Sequence, residues 1–347
     1  MDLSLRTVRE VMGVAPDVRL GLVLERAARR DQRLTGAVCS LAAAEGRRLG
    51  RLGDVLLDVE RARRDEHDRI IALVRGVGRA DVLKGAALQR YYPPGVLRTS
   101  RDVDLLMPDE TELWAAVAAV SRDRPVDEAR VSMIVSGGRR HWAVALNWPS
   151  PESDLDYVYA AEFLTAPFVG NSTTVPLRAE LPADETVAHL LLIAEELFQQ
   201  PLRGRDVVDV AVLADALTEQ EVTELCDAAE RWLLAPEAYE AVQRVNAVPG
   251  LATGTSRRLA QELSGSAERE RARRTAAGPG DGATTVTHYG FPLGPALGAP
   301  GVVVEQDADM TVVRCPVGGF LMVDTLSVPI ELAHAALERY PEAVLPV

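Results

Sequence analysis

Lysine is almost missing from this 347-residue chain: Lys84 stands alone, and the other 37 of its 38 basic residues are arginine. A position that stays lysine under such a bias points to a need for a compact ammonium on a flexible stem, where a planar guanidinium would not serve. Aromatic residues are scarce, at 5%. Cysteine is scarcer still. Cys39, Cys226 and Cys315 are scattered, odd in number and without CxxC spacing, which argues against a disulfide framework or a zinc site and for free, mostly buried thiols. No run approaches the roughly eighteen uninterrupted apolar residues of a membrane span. The opening MDLSLRTVRE carries charges where a signal peptide has its apolar segment. Positive charge is in deficit as well, 38 bases against 51 acids for a net −13, which argues against a surface that tracks nucleic-acid phosphates. The expected setting is cytoplasmic, with small molecules, nucleotides or proteins as partners and neither nucleic acid nor membrane.

The apolar fraction of 47% and charged fraction of 26% are those of a globular protein, and the length is about twice the usual ~150 residues per domain. Residues 1–78 repeat apolar positions three and four apart and predict two to four helices. Within them RARRDEHDR reads as a solvated helix face, with His67 at the surface. Residues 79–168 predict a compact α/β core. DVLKG is a short strand, AALQRYY a short helix stopped by Pro93 and Pro94, and RDVDLLM a strand. DETELWAAVAAVSRD is a helix whose dipole suits Asp109 and Glu110 at its start. VSMIVSGGRRHWAVALNW is a hairpin turning at Gly137-Gly138, and DLDYVYAAEFL is a strand or short helix. Residues 169–264 return to helices, several opened by acids or hydroxyls as caps should be. Residues 265–285, charged and then rich in Gly and Ala, read as a linker. Residues 286–347 predict short strands with turns at Asp307-Ala308-Asp309 and Gly318-Gly319, then a closing helix.

The chemistry concentrates between residues 83 and 107. Residues two apart on a strand share a face, so Asp102 and Asp104 project together while Val103 and Leu105 turn to the core. Two neighbouring carboxylates repel one another, and a fold tolerates them best where a cation neutralises them. Oxygen ligands of this kind suit Mg²⁺ or Mn²⁺ completing its shell with substrate phosphates. Arg98, Ser100 and Arg101 offer donors beside the acids, Gly85 allows close backbone approach to a phosphate, and Lys84 supplies a point charge. Together they form the parts of a cradle for a metal–nucleoside triphosphate.

The stretch LKGAALQRYYPPGVLRTSRDVDLLM resembles the signature of the bacterial uncharacterised nucleotidyltransferase family, within the DNA polymerase β-like nucleotidyltransferase superfamily. The resemblance rests on Leu83-Lys84-Gly85, Arg98 and the strand Asp102 to Leu106. More weakly, HLLLIAEELFQQ and LRGRDVVDVAVL resemble the family's downstream helices, with Asp209 at its recurrent acid. It implies an α+β fold, a nucleotidyltransferase-like mixed sheet flanked by N-terminal and C-terminal helical regions, with a small β-rich C-terminal segment. It implies transfer of a nucleoside monophosphate from an NTP to a small-molecule, peptide or protein acceptor. Asp102 and Asp104 would hold Mg²⁺, and Lys84, Gly85, Arg98, Ser100 and Arg101 would bind the nucleotide's phosphates. In the superfamily a third carboxylate on a neighbouring strand binds the catalytic metal.

Here the sequence departs from the pattern. Ala145-Leu146-Asn147-Trp148 matches the family's later strand with alanine where an acid is expected, and Ala86 replaces a serine. Asp154, Asp156 or Glu195 could supply the missing ligand. The alternative is a degenerate scaffold that binds a nucleotide or peptide without turnover. His141 and His189 read as packed structural histidines, Tyr91 and Tyr92 as packing or base-stacking rings, and Asp206 and Asp209 as partners of Arg203 or Arg205.

Overall fold

The structure, a computed structural model, describes residues 1, 3–30, 32–151, 158–171, 173–277, 285–307 and 310–343. Its strands are β1 (Asp81–Val82), β2 (Asp102–Leu106), β3 (Glu128–Ser136), β4 (Arg139–Pro149), β5 (Val158–Leu164), β6 (Thr285–Gly294), β7 (Val303–Asp307), β8 (Met310–Cys315) and β9 (Gly318–Val323). Its helices are α1 (Leu5–Val11), α2 (Leu20–Arg30), α3 (Thr35–Ala44), α4 (Gly50–Arg75), α5 (Glu110–Asp123), α6 (Glu185–Glu195), α7 (Gly204–Ala216), α8 (Glu219–Arg231), α9 (Ala235–Asn246), α10 (Gly254–Ala276) and α11 (Ile330–Arg339). The expected α+β class is what the chain adopts. Among the described residues no helix is long and apolar enough to cross a membrane.

The chain divides into two compact units, each assembled from three stretches: Met1–Asp65, Leu83–Arg101 and Glu180–Asp281 in the first, Glu66–Val82, Asp102–Ala179 and Gly282–Val347 in the second. The first unit is helical. Its core is built from Leu190, Leu191, Val208, Leu213, Leu234, Val245, Leu259 and Leu263, all buried where α6, α7, α9 and α10 pack on one another. The caps follow from the sequence: Asp184 accepts from Val187 N, and Thr218 and Glu221 satisfy each other's backbone N–H groups at the start of α8. Residues 265–276, expected as the start of a linker, are instead the second half of α10. Leu263 and Ala267 anchor it, and Glu270 receives Arg273 and Arg274, so its charges face partners. Residues 278–284 lie outside the described residues.

The second unit is a nine-stranded sheet of order β1-β2-β5-β4-β3-β6-β9-β8-β7, antiparallel throughout except for the parallel pair β2/β5. The expected hairpin joins β3 to β4, with Gly137 and Gly138 both in the left-handed region that its turn demands. One face is apolar: Val103 and Leu105 of β2, Phe163 of β5 and Trp142, Val144 and Leu146 of β4 are buried there, and α5 packs on β4 and β5. Trp114 of α5 meets Trp142 edge to face, 5.3 Å between centroids. Asp109 caps α5, accepting from Glu112 N at 2.9 Å, as its sequence position indicated. The C-terminal strands extend this sheet, because β6 pairs with β3 from Ser132↔Tyr289 to Ser136↔Thr285. α11 covers their other side through Ala336 and Tyr340, packed with Leu293, Val312 and Leu321.

The expected solvated face of RARRDEHDR is a partial correction. Glu60, Arg63, Glu66 and His67 are all buried. The helical periodicity holds, but Arg63, Glu66 and His67 fall on the covered face of α4 rather than on its solvated one. Within the second unit Glu66 accepts from Arg124 Nε at 2.5 Å, Trp148 Nε1 at 3.1 Å and Arg69 Nη1 at 3.0 Å.

Candidate functional site

The two acids singled out from the sequence stand on β2 in the second unit, as alternation required. Val103 and Leu105 between and beside them are fully buried on the opposite face, Asp104 is buried and Asp102 half-buried. The register adds what sequence alone could not supply. Asp102 pairs with Ala160 and Asp104 with Glu162 on β5, while Glu162 pairs with Ala145 and Ala160 with Asn147 on β4. Residues paired across adjacent strands point to the same face, about 4.8 Å apart in the sheet. Asp104, Glu162 and Ala145 therefore form one row, with Asp102, Ala160 and Asn147 in the next.

Glu162 is the residue the sequence reading missed. Its signal was an acid in the apolar alternation of VYAAEFL, on the parity opposite to Tyr159, Ala161 and Phe163, all buried. Its relation to Asp104 becomes visible only with the parallel pairing. Of the alternatives for a third ligand, Asp154 and Asp156 lie outside the described residues, and Glu195 belongs to α6 of the first unit. Among the described residues no group of three or more His, Cys, Asp or Glu is already drawn together as a metal site. The row shares a face but not a closed cage.

The candidate phosphate-binding residues Lys84, Gly85, Arg98, Ser100 and Arg101 fall in the first unit, and the division between units passes between Arg101 and Asp102. Lys84 Nζ lies 2.5 Å from Glu196 Oε1. Burial pushes the Glu196 carboxyl up, but Lys84, with Arg205 and Arg33, outweighs it and holds the group below the usual carboxylate range. Gly85 begins a 3₁₀ turn at φ +46°, a backbone conformation suited to glycine.

Arg98 corrects the expectation of a phosphate ligand. Its side chain is 2% exposed, its Nε and Nη2 donate to the two carboxylate oxygens of Asp209 at 2.8 and 2.7 Å, and its Nη1 donates to Gly85 O at 2.8 Å. The fork is spent on a buried bidentate pair. Tyr92 donates to Asp209 at 2.6 Å, so it is a member of that network rather than a stacking ring, and burial together with Asp209 pushes its hydroxyl far up. Arg205 pairs with Asp206 at 2.9 Å and stands 3.6 Å from Asp209, as the spacing on α7 suggested. The segment leading to the acids is strapped down further. Arg98 N donates to Gln89 Oε1, Leu97 N to Ser40 Oγ, and Gly36 N to Thr99 Oγ1. Ser100 is buried and Arg101 exposed.

The thiols offer no nucleophile. Burial, reinforced by acidic neighbours, pushes Cys39 and Cys226 up to about 12. His189 is the core histidine expected, 3.4 Å from Glu185 and lowered by burial.

No family model matches the chain, and no curated protein is similar to it. Solved structures similar to it include the crystal structure of a candidate nucleotidyltransferase from H. pylori, at 14% identity, and that of JHP933 from Helicobacter pylori, at 13%. Each similarity covers 61% of this chain and 95% of the other, with a TM-score of 0.29.

Proposed function

We propose that this chain is a nucleotidyltransferase that takes its nucleotide as a magnesium or manganese complex and transfers the NMP group to a small-molecule, peptide or protein acceptor. The observation that carries the reading is the row Asp104–Glu162–Ala145, with Asp102 two residues along β2. The acid lacking at Ala145 is offered one strand nearer to Asp104, by Glu162. Three carboxylate side chains on one face fit a hard divalent cation, whose oxygen ligands they supply by rotamer change. Bound there, the metal would neutralise phosphate charge and favour in-line displacement. The chain's own contribution is to hold Asp102, Asp104 and Glu162 on adjacent strands and to let Glu162 take the acceptor's proton.

The test is binding of Mn²⁺–ATP by electron paramagnetic resonance, with pyrophosphate release measured over the four common NTPs. Asp102→Asn with Asp104→Asn should abolish metal-dependent nucleotide binding. Glu162→Gln should weaken metal-dependent binding less than that double variant does and lower transfer by about 10²- to 10⁴-fold, the usual loss of a general base. Unchanged binding in the double variant removes the reading.

A second reading, a scaffold that binds without turnover, is favoured by Ala145, by Ala86 and by the lack of a preformed three-ligand group among the described residues. Nucleotide binding with no pyrophosphate released from any NTP selects it.

A further inference from the structure

The second unit contains a cleft of about 560 Å³, within the roughly 300–1,000 Å³ of small-molecule sites. It opens past the carboxyl ends of β2 and β5, where Leu106 and Met107 meet the start of β4 and Thr165. Met107 N donates to Leu164 O and Thr165 N to Trp142 O, so the floor is rigid sheet backbone.

The charges of its walls are unevenly committed. Arg140 stands 3.8 Å from Glu110, and Asp109 is occupied as the cap of α5. Arg79 and Arg139 are exposed in the same cleft, and neither has an ion pair among the described residues. Asp81 is the acid left over. His141 is half-buried between Arg139 and Thr165. Burial lowers its pKa, a hydrogen bond to the Thr165 backbone opposes that, and Arg139 lowers it further. The positive end of α5 adds to the field.

We infer that this cleft is a binding site for a small carboxylate-bearing molecule, its carboxylate taken by Arg79 and Arg139, with the His141 ring beside it as a reporter. Two free guanidinium groups call for an oxyanion. Three acids lining the same walls as three arginines weigh against a dianion, so a carboxylate fits better than a phosphate. The inference uses none of the residues of the proposed transfer site and stands independently of it.

The test follows the His141 ring signal by NMR in the full chain, assigned through His141→Gln, during titration with sodium propionate or inorganic phosphate at constant ionic strength. Propionate should shift the signal saturably and at lower concentration than phosphate. Arg79→Gln and Arg139→Gln should each weaken propionate binding about tenfold, as loss of a charge-assisted hydrogen bond does. Arg257→Gln, at an exposed arginine of α10, should leave it unchanged. A shift that does not saturate, or that survives both substitutions, overturns the site. Tighter phosphate than propionate overturns the carboxylate assignment.

Discussion

Arg98 and Asp209 are 111 positions apart in sequence and almost wholly removed from solvent. Each would be intolerable there alone, because an unpaired charge in the interior has no compensation. Asp209→Ala should therefore lower stability by about 3–5 kcal/mol, read as a fall in the urea midpoint. Arg98→Met combined with Asp209→Leu should lose less than Asp209→Ala, because it leaves no stranded ion. A local reading puts Arg98 beside the carboxylates of β2 and assigns it to phosphate; only the fold reveals the acid already holding it. Glu66 was hidden in the same way, in a stretch whose mixed charges look solvated. Burial pushes its carboxyl up, yet Arg124, Arg69 and Trp148 hold it below the ordinary 4.5. Its folded pKa thus lies under its unfolded one, so the stability it contributes is complete above about pH 4.5 and drains away as pH falls through the folded value. Glu66→Gln should melt lower than the parent at pH 7, and the gap should close in acid, in thermal unfolding followed across pH.

Elements set by short-range rules were legible. β2 alternates Asp, Val, Asp, Leu, α5 begins at a capping aspartate, and the Gly137-Gly138 turn announces its hairpin. What failed was any element whose stability comes from elsewhere. α10 has few apolar residues in its second half and is held by ion pairs such as Arg274 with Glu237, 37 residues away. Glu162 likewise gained meaning only from the parallel partner. β6 is the joint of the sheet, pairing with β3 on one side and β9 on the other. At Gly290 an added Cβ would come within 2.6 Å of Val131 O and 3.2 Å of the Phe320 side chain. Gly290→Ala should therefore cost about 1–3 kcal/mol by overpacking. Hydrogen exchange should localise the loss to β6, β8 and β9 before the rest of the sheet.

At the scale of the whole chain, compact units and sequence order do not coincide, since each unit draws on three separated stretches. Removing residues 285–347 deletes β6–β9 and leaves β3 with an unpaired side. Such an edge invites pairing with other copies. The shortened chain should elute as aggregates in size-exclusion chromatography under conditions where the full chain does not.

The β3–β6 pairing also fixes a timetable for biosynthesis. With Ser136 opposite Thr285, an interior strand of the finished sheet must wait for nearly 150 further residues to be translated. At the usual elongation speed of about 5–20 residues per second, that is a delay of roughly seven to thirty seconds. During it, all of the helices from α6 to α10 are made while one flank of β3 has no mate, which makes the nascent chain, more than the finished protein, the form in need of a chaperone.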